Sequence, residues 1–393
     1  MVHAVLTTNP PSRTVEAPSK RRYRVLVFSV IALFFGTSVS LLLAEFAVRI
    51  FNPQTLTSDV VEWDPDVDYR LRPNARGRMV SPEFSAEIRV NSLGFRGPEI
   101  SPVKKPGGRR VLFLGDSFMF GAGLREHETL PYAVSRELER RLAGDFEVIN
   151  GGVYGYQTAN ELEFFTKFGV PLHPDIVVIL VMTHDMVQNT DWYEWTGDGQ
   201  LKRKPFTSQY TQSRAITRLM PGASWLREHS HLFKFVGMRV LPTVTAGENP
   251  KSEHTGGSPK SSPQAVRHDQ FSPEFYQEEQ GAFRVTTELL ARLVDVAKKN
   301  GAKCVLLTLG GTADENMAGR LSPSEMLPHE QLIAAGLRVG FSDALALPPI
   351  LAGYRGSENL YFPKDLHWTA TATSFVAPAV ADAILRVSGQ DHP

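Results

Sequence analysis

Val111 to Gly123 reads VLFLGDSFMFGAG, and the rest of the chain is organised around it. The apolar run Val111 to Leu114 breaks at Gly115-Asp116-Ser117, and a helix-like segment with Glu128, Leu130, Val134 and Leu138 follows. An uninterrupted apolar run bounded by glycine predicts a strand buried on both faces. Ser117 then stands at the carboxyl end of a central strand, where open α/β sheets place their chemistry. A serine there is also a common helix cap or turn residue, so the triplet alone decides nothing. Asp365-Leu366-His367, just before the last helical pattern, supplies what it lacks. A serine, a histidine and a carboxylate are the parts of an activated nucleophile. Asp365 and His367 are two apart, so extended backbone would point both to one side, and a loop geometry must let them bond.

Outward from this stretch the pattern alternates. A helix near Leu130 to Leu142 is followed by a strand over Glu147 to Asn150 and a turn with Gly151, Gly152 and Gly155. Next come a helix near Thr158 to Phe168 and a strongly apolar strand over Asp175 to Met182. Later come helical patterns over Glu274 to Lys299, near Glu325 to Leu337 and over Thr369 to Val387, with a strand at Lys303 to Leu309. This predicts a three-layer α/β/α sandwich with a parallel sheet, spanning residues 109–393. Right-handed crossovers would bring Ser117, Gly155 and His184, in the loops after the first three strands, to one edge. From Asn189 to Gln270 the alternation stops. Trp192, Trp195 and Trp225 imply packed structure there, with a helical insertion around Ala215 to Leu241. Ala246 to His268 reads as a disordered loop.

The N-terminal part fixes location. Met1 to Lys20 is rich in Pro, Ser and Thr, and the first 24 residues read as a disordered cytoplasmic tail. Val25 to Ala44 is twenty residues without a charge, enough to cross a hydrocarbon core of roughly 30 Å. No small-x-small cleavage pair follows the run, so an uncleaved anchor is expected rather than a signal peptide. Arg13, Lys20, Arg21, Arg22 and Arg24 precede the span, which keeps the N-terminus cytoplasmic and the remainder outside. Residues 52–108 read as a small β-rich lead-in. Asp64, Asp66 and Asp68 alternate like part of a calcium loop, but Tyr69 replaces the turn glycine and no glutamate closes it, leaving a solvated acidic segment.

With 42% hydrophobic residues the chain can bury a large core, and a formal net charge of zero gives no argument for nucleic acid. The single cysteine, Cys304, excludes an intramolecular disulfide and a cysteine-rich zinc site, and reads as a buried structural thiol. His229 and His231 lack a third ligand at metal spacing. Gly121-x-Gly123 lacks the ending of a phosphate loop, so no cofactor or metal is expected.

Taken together these motifs resemble the SGNH (GDSL-type) hydrolase superfamily. Gly115-Asp116-Ser117 resembles its nucleophile block, Asn150 to Gly155 its second block, and Asp365-Leu366-His367-Trp368 its final block. Asn91 to Gly97 (NSLGFRG) and Pro174-Asp175 resemble a membrane-anchored bacterial branch. The Asp-x-His-Trp form is similar to domains of extracytoplasmic polysaccharide O-acetyltransferases, although many superfamily members space the two residues by one more. The resemblance implies an SGNH, flavodoxin-like fold and acyl transfer from an ester. Ser117 is then the nucleophile, His367 the base, Asp365 its partner, and Asp116 a support of the loop. The oxyanion would be held by the backbone N–H groups of Ser117 and Gly155 together with His184. His184 stands where the family carries an asparagine, and a neutral imidazole donates from only one nitrogen. It therefore has three readings: as the replacement donor, as a ligand for something else, or as the mark of a crippled site. The expected substrate is an acyl ester, acetyl by resemblance, on a cell-surface glycan, with water or a sugar hydroxyl as acceptor. A transferase would need a multi-pass membrane acyltransferase partner. The alternative is a catalytically impaired protein that binds glycan or scaffolds an envelope complex.

Overall fold

The computed structural model describes residues 20–141, 146–205, 222–237, 275, 281–310 and 322–389. Of the expected disordered segments, residues 1–19 of the tail and the loop 246–268 lie outside the described residues, as does part of the expected helical insertion, whereas residues 20–24, expected to belong to the tail, are helical. The chain forms two units, Met1–Asn52 and Pro53–Pro393. The first holds one helix, α1 (Lys20–Phe51). Its apolar stretch, Arg22–Phe51, is long enough to cross a membrane, and none of it is buried.

The second unit opens with short antiparallel strands: β1 (Leu56–Thr57), β2 (Val61–Asp64), β3 (Asp68–Leu71), β4 (Arg76–Val80) and β5 (Ser85–Arg89). β2 pairs with β3, and β4 pairs with β1 on one side and β5 on the other in a second small sheet. Asp64 and Asp66 do not stand free in solvent, because Lys167 Nζ binds both, at 2.9 and 2.6 Å. The Lys167 ion pair and two backbone bonds offset the burial of Asp64 and hold its carboxyl below the usual range.

The sandwich follows. Its first half contains β6 (Arg109–Leu114), α2 (Ser117–Phe120), α3 (Leu130–Arg141), β7 (Phe146–Asn150), α4 (Thr158–Phe164), β8 (Ile176–Met182) and α5 (Asp185–Gln188). A short hairpin, β9 (Tyr193–Trp195) and β10 (Leu201–Arg203), and the helix α6 (Ala223–His229) precede the second half. That half comprises α7 (Ala282–Lys299), β11 (Lys303–Leu309), α8 (Pro323–Val339), β12 (Asp343–Ala346), α9 (Leu347–Ala352) and α10 (Ala370–Ser388). The central sheet is parallel throughout, in the order β12-β11-β8-β6-β7.

Alternation along the buried strands divides the core into two layers. Leu112, Leu114, Val177, Ile179 and Leu306 pack with Leu162 of α4, Leu289 and Leu293 of α7 and Leu332 of α8. Val111, Phe113, Val178, Leu180 and Leu307 pack with Val134 and Leu138 of α3 and Val376, Val380 and Ile384 of α10. Cys304 lies in the first layer, where burial pushes its thiol up to about 12. β7 lies on one side of β6 and β8 on the other, so the connections diverge at the carboxyl end of β6 and leave a crevice there.

Candidate active site

Ser117 is the first residue of α2 and sits in that crevice. Asp116 caps the helix: its Oδ1 accepts from Phe118 N at 2.9 Å. Gly152 lets the second loop pass behind, because a Cβ there would stand 2.3 Å from the backbone nitrogen of Phe120.

His367 arrives from the loop before α10. Its Nε2 lies 2.7 Å from Ser117 Oγ and its Nδ1 2.6 Å from Asp365 Oδ1. With Nδ1–H donating to the carboxylate, Nε2 is the acceptor for the serine hydroxyl. The required loop geometry comes from Leu366, whose φ of +67° is left-handed. That backbone costs a leucine about 1–2 kcal/mol, and it aims side chains two residues apart at each other. Phe118 and Tyr154 flank the imidazole, with ring centroids 5.0 and 5.8 Å away. Trp368 is fully buried and packs edge-on to Phe118, so it is part of the core.

Gly155 and His184 occupy the loops after β7 and β8, on the same sheet edge as Ser117, and neither bonds directly to the three side chains above. Gly155 has φ +79°, and a Cβ would stand 2.8 Å from Tyr69 Oη. Among the described residues neither the Ser117 nor the Gly155 backbone N–H has an acceptor. Burial pushes His184 down to about 4, although 25% of its side chain still meets solvent, so the ring is neutral near pH 7. Its Nε2 lies 3.6 Å from Asp185 Oδ1, beyond hydrogen-bond distance. Asp185 does not cap the segment after the strand. Its Oδ2 turns back to accept from Met182 N at 3.0 Å, because that end of β8 is buried and needs an acceptor.

Behind Ser117 lies a buried acidic group. Glu161 and Asp185 are at most 1% exposed, and both Glu161 oxygens and Asp185 Oδ1 have no hydrogen-bond partner among the described residues. Burial, and then repulsion by neighbouring carboxylates, pushes both well above the usual range. Asp116, whose burial outweighs its bond to Phe118 and the nearby His367, is raised to about 6. Its folded form therefore holds the proton more tightly than the unfolded chain. The resulting stabilisation is complete below about 3.8 and is lost as pH rises to about 6. Asp116→Asn keeps the oxygen that caps Phe118. The gap in Tm between Asp116→Asn and wild type should widen in favour of the variant from pH 4 to pH 6 and stay level above, as followed by thermal melts.

Three residues of the lead-in complete the site, of which Arg96 lies in the NSLGFRG stretch without having been read as a site residue, and Tyr69 and Glu83 belong to no site motif. Arg96 is buried and donates to the carbonyls of Phe120 at 2.6 Å, Gly121 at 2.8 Å and Leu124, fixing the segment after Ser117. Tyr69 donates to the Tyr154 carbonyl at 2.8 Å. Glu83 accepts from the backbone of the loop that carries His367.

No protein-family model matches the chain, and no curated protein matches it. Among solved structures it is similar to a family 3 carbohydrate esterase of Clostridium thermocellum, at 9% identity over 72% of this chain and 98% of that one, with a TM-score of 0.39. It is similar also to a catalytic mutant of an acetylxylan esterase from Geobacillus stearothermophilus, at 12% identity over 73% and 98%, with a TM-score of 0.37. A lipase/acylhydrolase from Enterococcus faecalis matches at 14% identity over 70% and 95%, with a TM-score of 0.35. Likeness at this level leaves the chemistry to be argued from the residues of the site.

Proposed function

We propose that the chain is a serine esterase or O-acyltransferase of the SGNH type, acting on an acyl ester of a cell-surface glycan. The observation that carries this reading is the unbroken relay from Ser117 Oγ to His367 Nε2 and from Nδ1 to Asp365. His367 takes the hydroxyl proton as Ser117 Oγ bonds to the acyl carbon, and Asp365 stabilises the imidazolium. The backbone N–H groups of Ser117 and Gly155, with His184, receive the negative oxygen. The carbon–oxygen bond to the leaving alcohol breaks, and His367 returns the proton to that alcohol. Water or a sugar hydroxyl then attacks the acyl-serine, giving its proton to His367, which passes it to the departing Ser117 oxygen.

Tyr154, 49% exposed and beside the imidazole, offers an aromatic face against which a sugar ring can lie. The apolar helix α1 supports an anchor, and the basic residues before its apolar run support an extracytoplasmic site. The test is covalent labelling of the full chain with a fluorophosphonate. Wild type should be labelled at Ser117 and Ser117→Ala should not. Equal labelling of both, or of neither, would count against the reading and leave the glycan-binding or scaffolding alternative.

A further inference from the structure

The loop that carries the general base is gripped from outside the sandwich. Glu83 sits in the turn between β4 and β5. Its carboxylate accepts from Lys364 N at 2.9 and 3.1 Å and from Asp365 N at 2.9 Å. The turn is itself held: Ser81 Oγ accepts from Glu83 N at 3.1 Å and Phe84 N at 3.3 Å, and Ser81 N donates to Phe84 O at 2.9 Å. Beside it the rings of Phe84 and Phe362 pack 4.9 Å apart. Downstream, Phe362 N donates to His367 O and Leu366 N to Phe362 O, each at 2.8 Å. Leu366 lies between these two sets of restraints in a conformation its own side chain disfavours. Strained backbone of this kind persists only where its surroundings over-determine it.

We infer that Glu83 is a positioning residue of the active site: by gripping the Lys364 and Asp365 amides it holds Leu366 left-handed and so keeps Asp365 against His367. The inference rests on the esterase reading and deepens it, because it makes the lead-in part of the frame of the active site rather than a spacer. Thr55, also in the lead-in, adds its hydroxyl 3.5 Å from Asp365 Oδ2. Without the carboxylate the loop is free to relax Leu366 to negative φ, and the side chains of Asp365 and His367 part.

The experiment uses the full chain in detergent and p-nitrophenyl acetate, with Glu83→Ala, Glu83→Gln and the double variant Glu83→Ala/Leu366→Gly. Glu83→Ala should lower kcat about tenfold or more with KM within about twofold, the signature of a lost transition-state arrangement. Glu83→Gln, which keeps one accepting oxygen, should fall between it and wild type. Leu366→Gly should restore most of the turnover lost in Glu83→Ala, because glycine reaches positive φ without help. A latch with only a structural role would lower Tm and leave kcat in place, and that result overturns the inference. So does a double variant no faster than Glu83→Ala. Hydrogen exchange at the Lys364 and Asp365 amides reads the grip without turnover. It should quicken in Glu83→Ala, and unchanged exchange overturns the inference whatever the activity. Wild type no faster than Ser117→Ala would instead sink the esterase reading, with the exchange rates still deciding the grip.

Discussion

Ser117→Ala is expected to lower kcat on p-nitrophenyl acetate by a factor of about a million, and His367→Ala by nearly as much. The two atoms lie 2.7 Å apart and share one proton, so the double variant should be scarcely worse than either single one. Groups that act as a unit do not add. Asp365→Ala should cost less, about ten-thousandfold, because it removes the group that orients and stabilises the imidazole rather than the nucleophile or base. Steady-state kinetics, with Tm measured in parallel to show that each variant folds, checks all four. A Ser117→Ala or His367→Ala variant within tenfold of wild type would remove that residue from the reaction.

The second large effect is at His184. If its one N–H serves the oxyanion, His184→Ala should lower kcat by about a hundred- to a thousandfold with KM nearly unchanged. His184→Asn, whose amide offers a donor at every pH, should keep activity near that of wild type. Equal rates in all three would take His184 out of the reaction, and a gain in His184→Asn alone would mark it as a detuned donor. Burial holds the ring at about 4, below its ordinary 6.5, so the folded protein binds this proton less tightly than the unfolded chain. The associated stability is full above about 6.5 and is lost as pH falls to about 4. His184→Asn should therefore melt with a smaller loss of Tm over that window, while the activity profile from pH 5 to 8 should carry no limb from His184.

The central strands were legible because burial on both faces leaves only apolar residues: all seven positions of Ile176–Met182 are buried. β12 was not legible. Asp343-Ala344-Leu345-Ala346 lies at the sheet edge, half-buried throughout, and its short apolar run is mostly alanine, a residue depleted in strands, and passes without a break into α9. The expected helix over residues 158–168 ends its α-helical part at Phe164 and continues as a wider turn to Gly169. There a Cβ would stand 2.7 Å from Leu112, a packing constraint invisible in local sequence. At the site, Ser117, Asp365 and His367 were readable because each lies in a short motif with chemical meaning. Glu83 was not, since it acts on backbone amides 281 and 282 residues away, and no spacing announces such a contact. Nor does a leucine announce positive φ. The need for an unusual loop at Leu366 could be deduced, but its means could not.

Arg96 ties the lead-in to the segment that follows Ser117. Its guanidinium closes the carbonyls of Phe120, Gly121 and Leu124, none of which could find water at that depth. A shorter side chain would leave the Leu124 carbonyl without its donor and those of Phe120 and Gly121 with only the longer bonds from Asn150 Nδ2 and Leu124 N, at 3.4 and 3.1 Å, and a rearranged 120–124 turn would strand a buried cation. The two stretches, NSLGFRG and GDSFMFGAG, are therefore not free to drift apart in a lineage: a viable change in one requires a matching change in the other, as with the two halves of a lock.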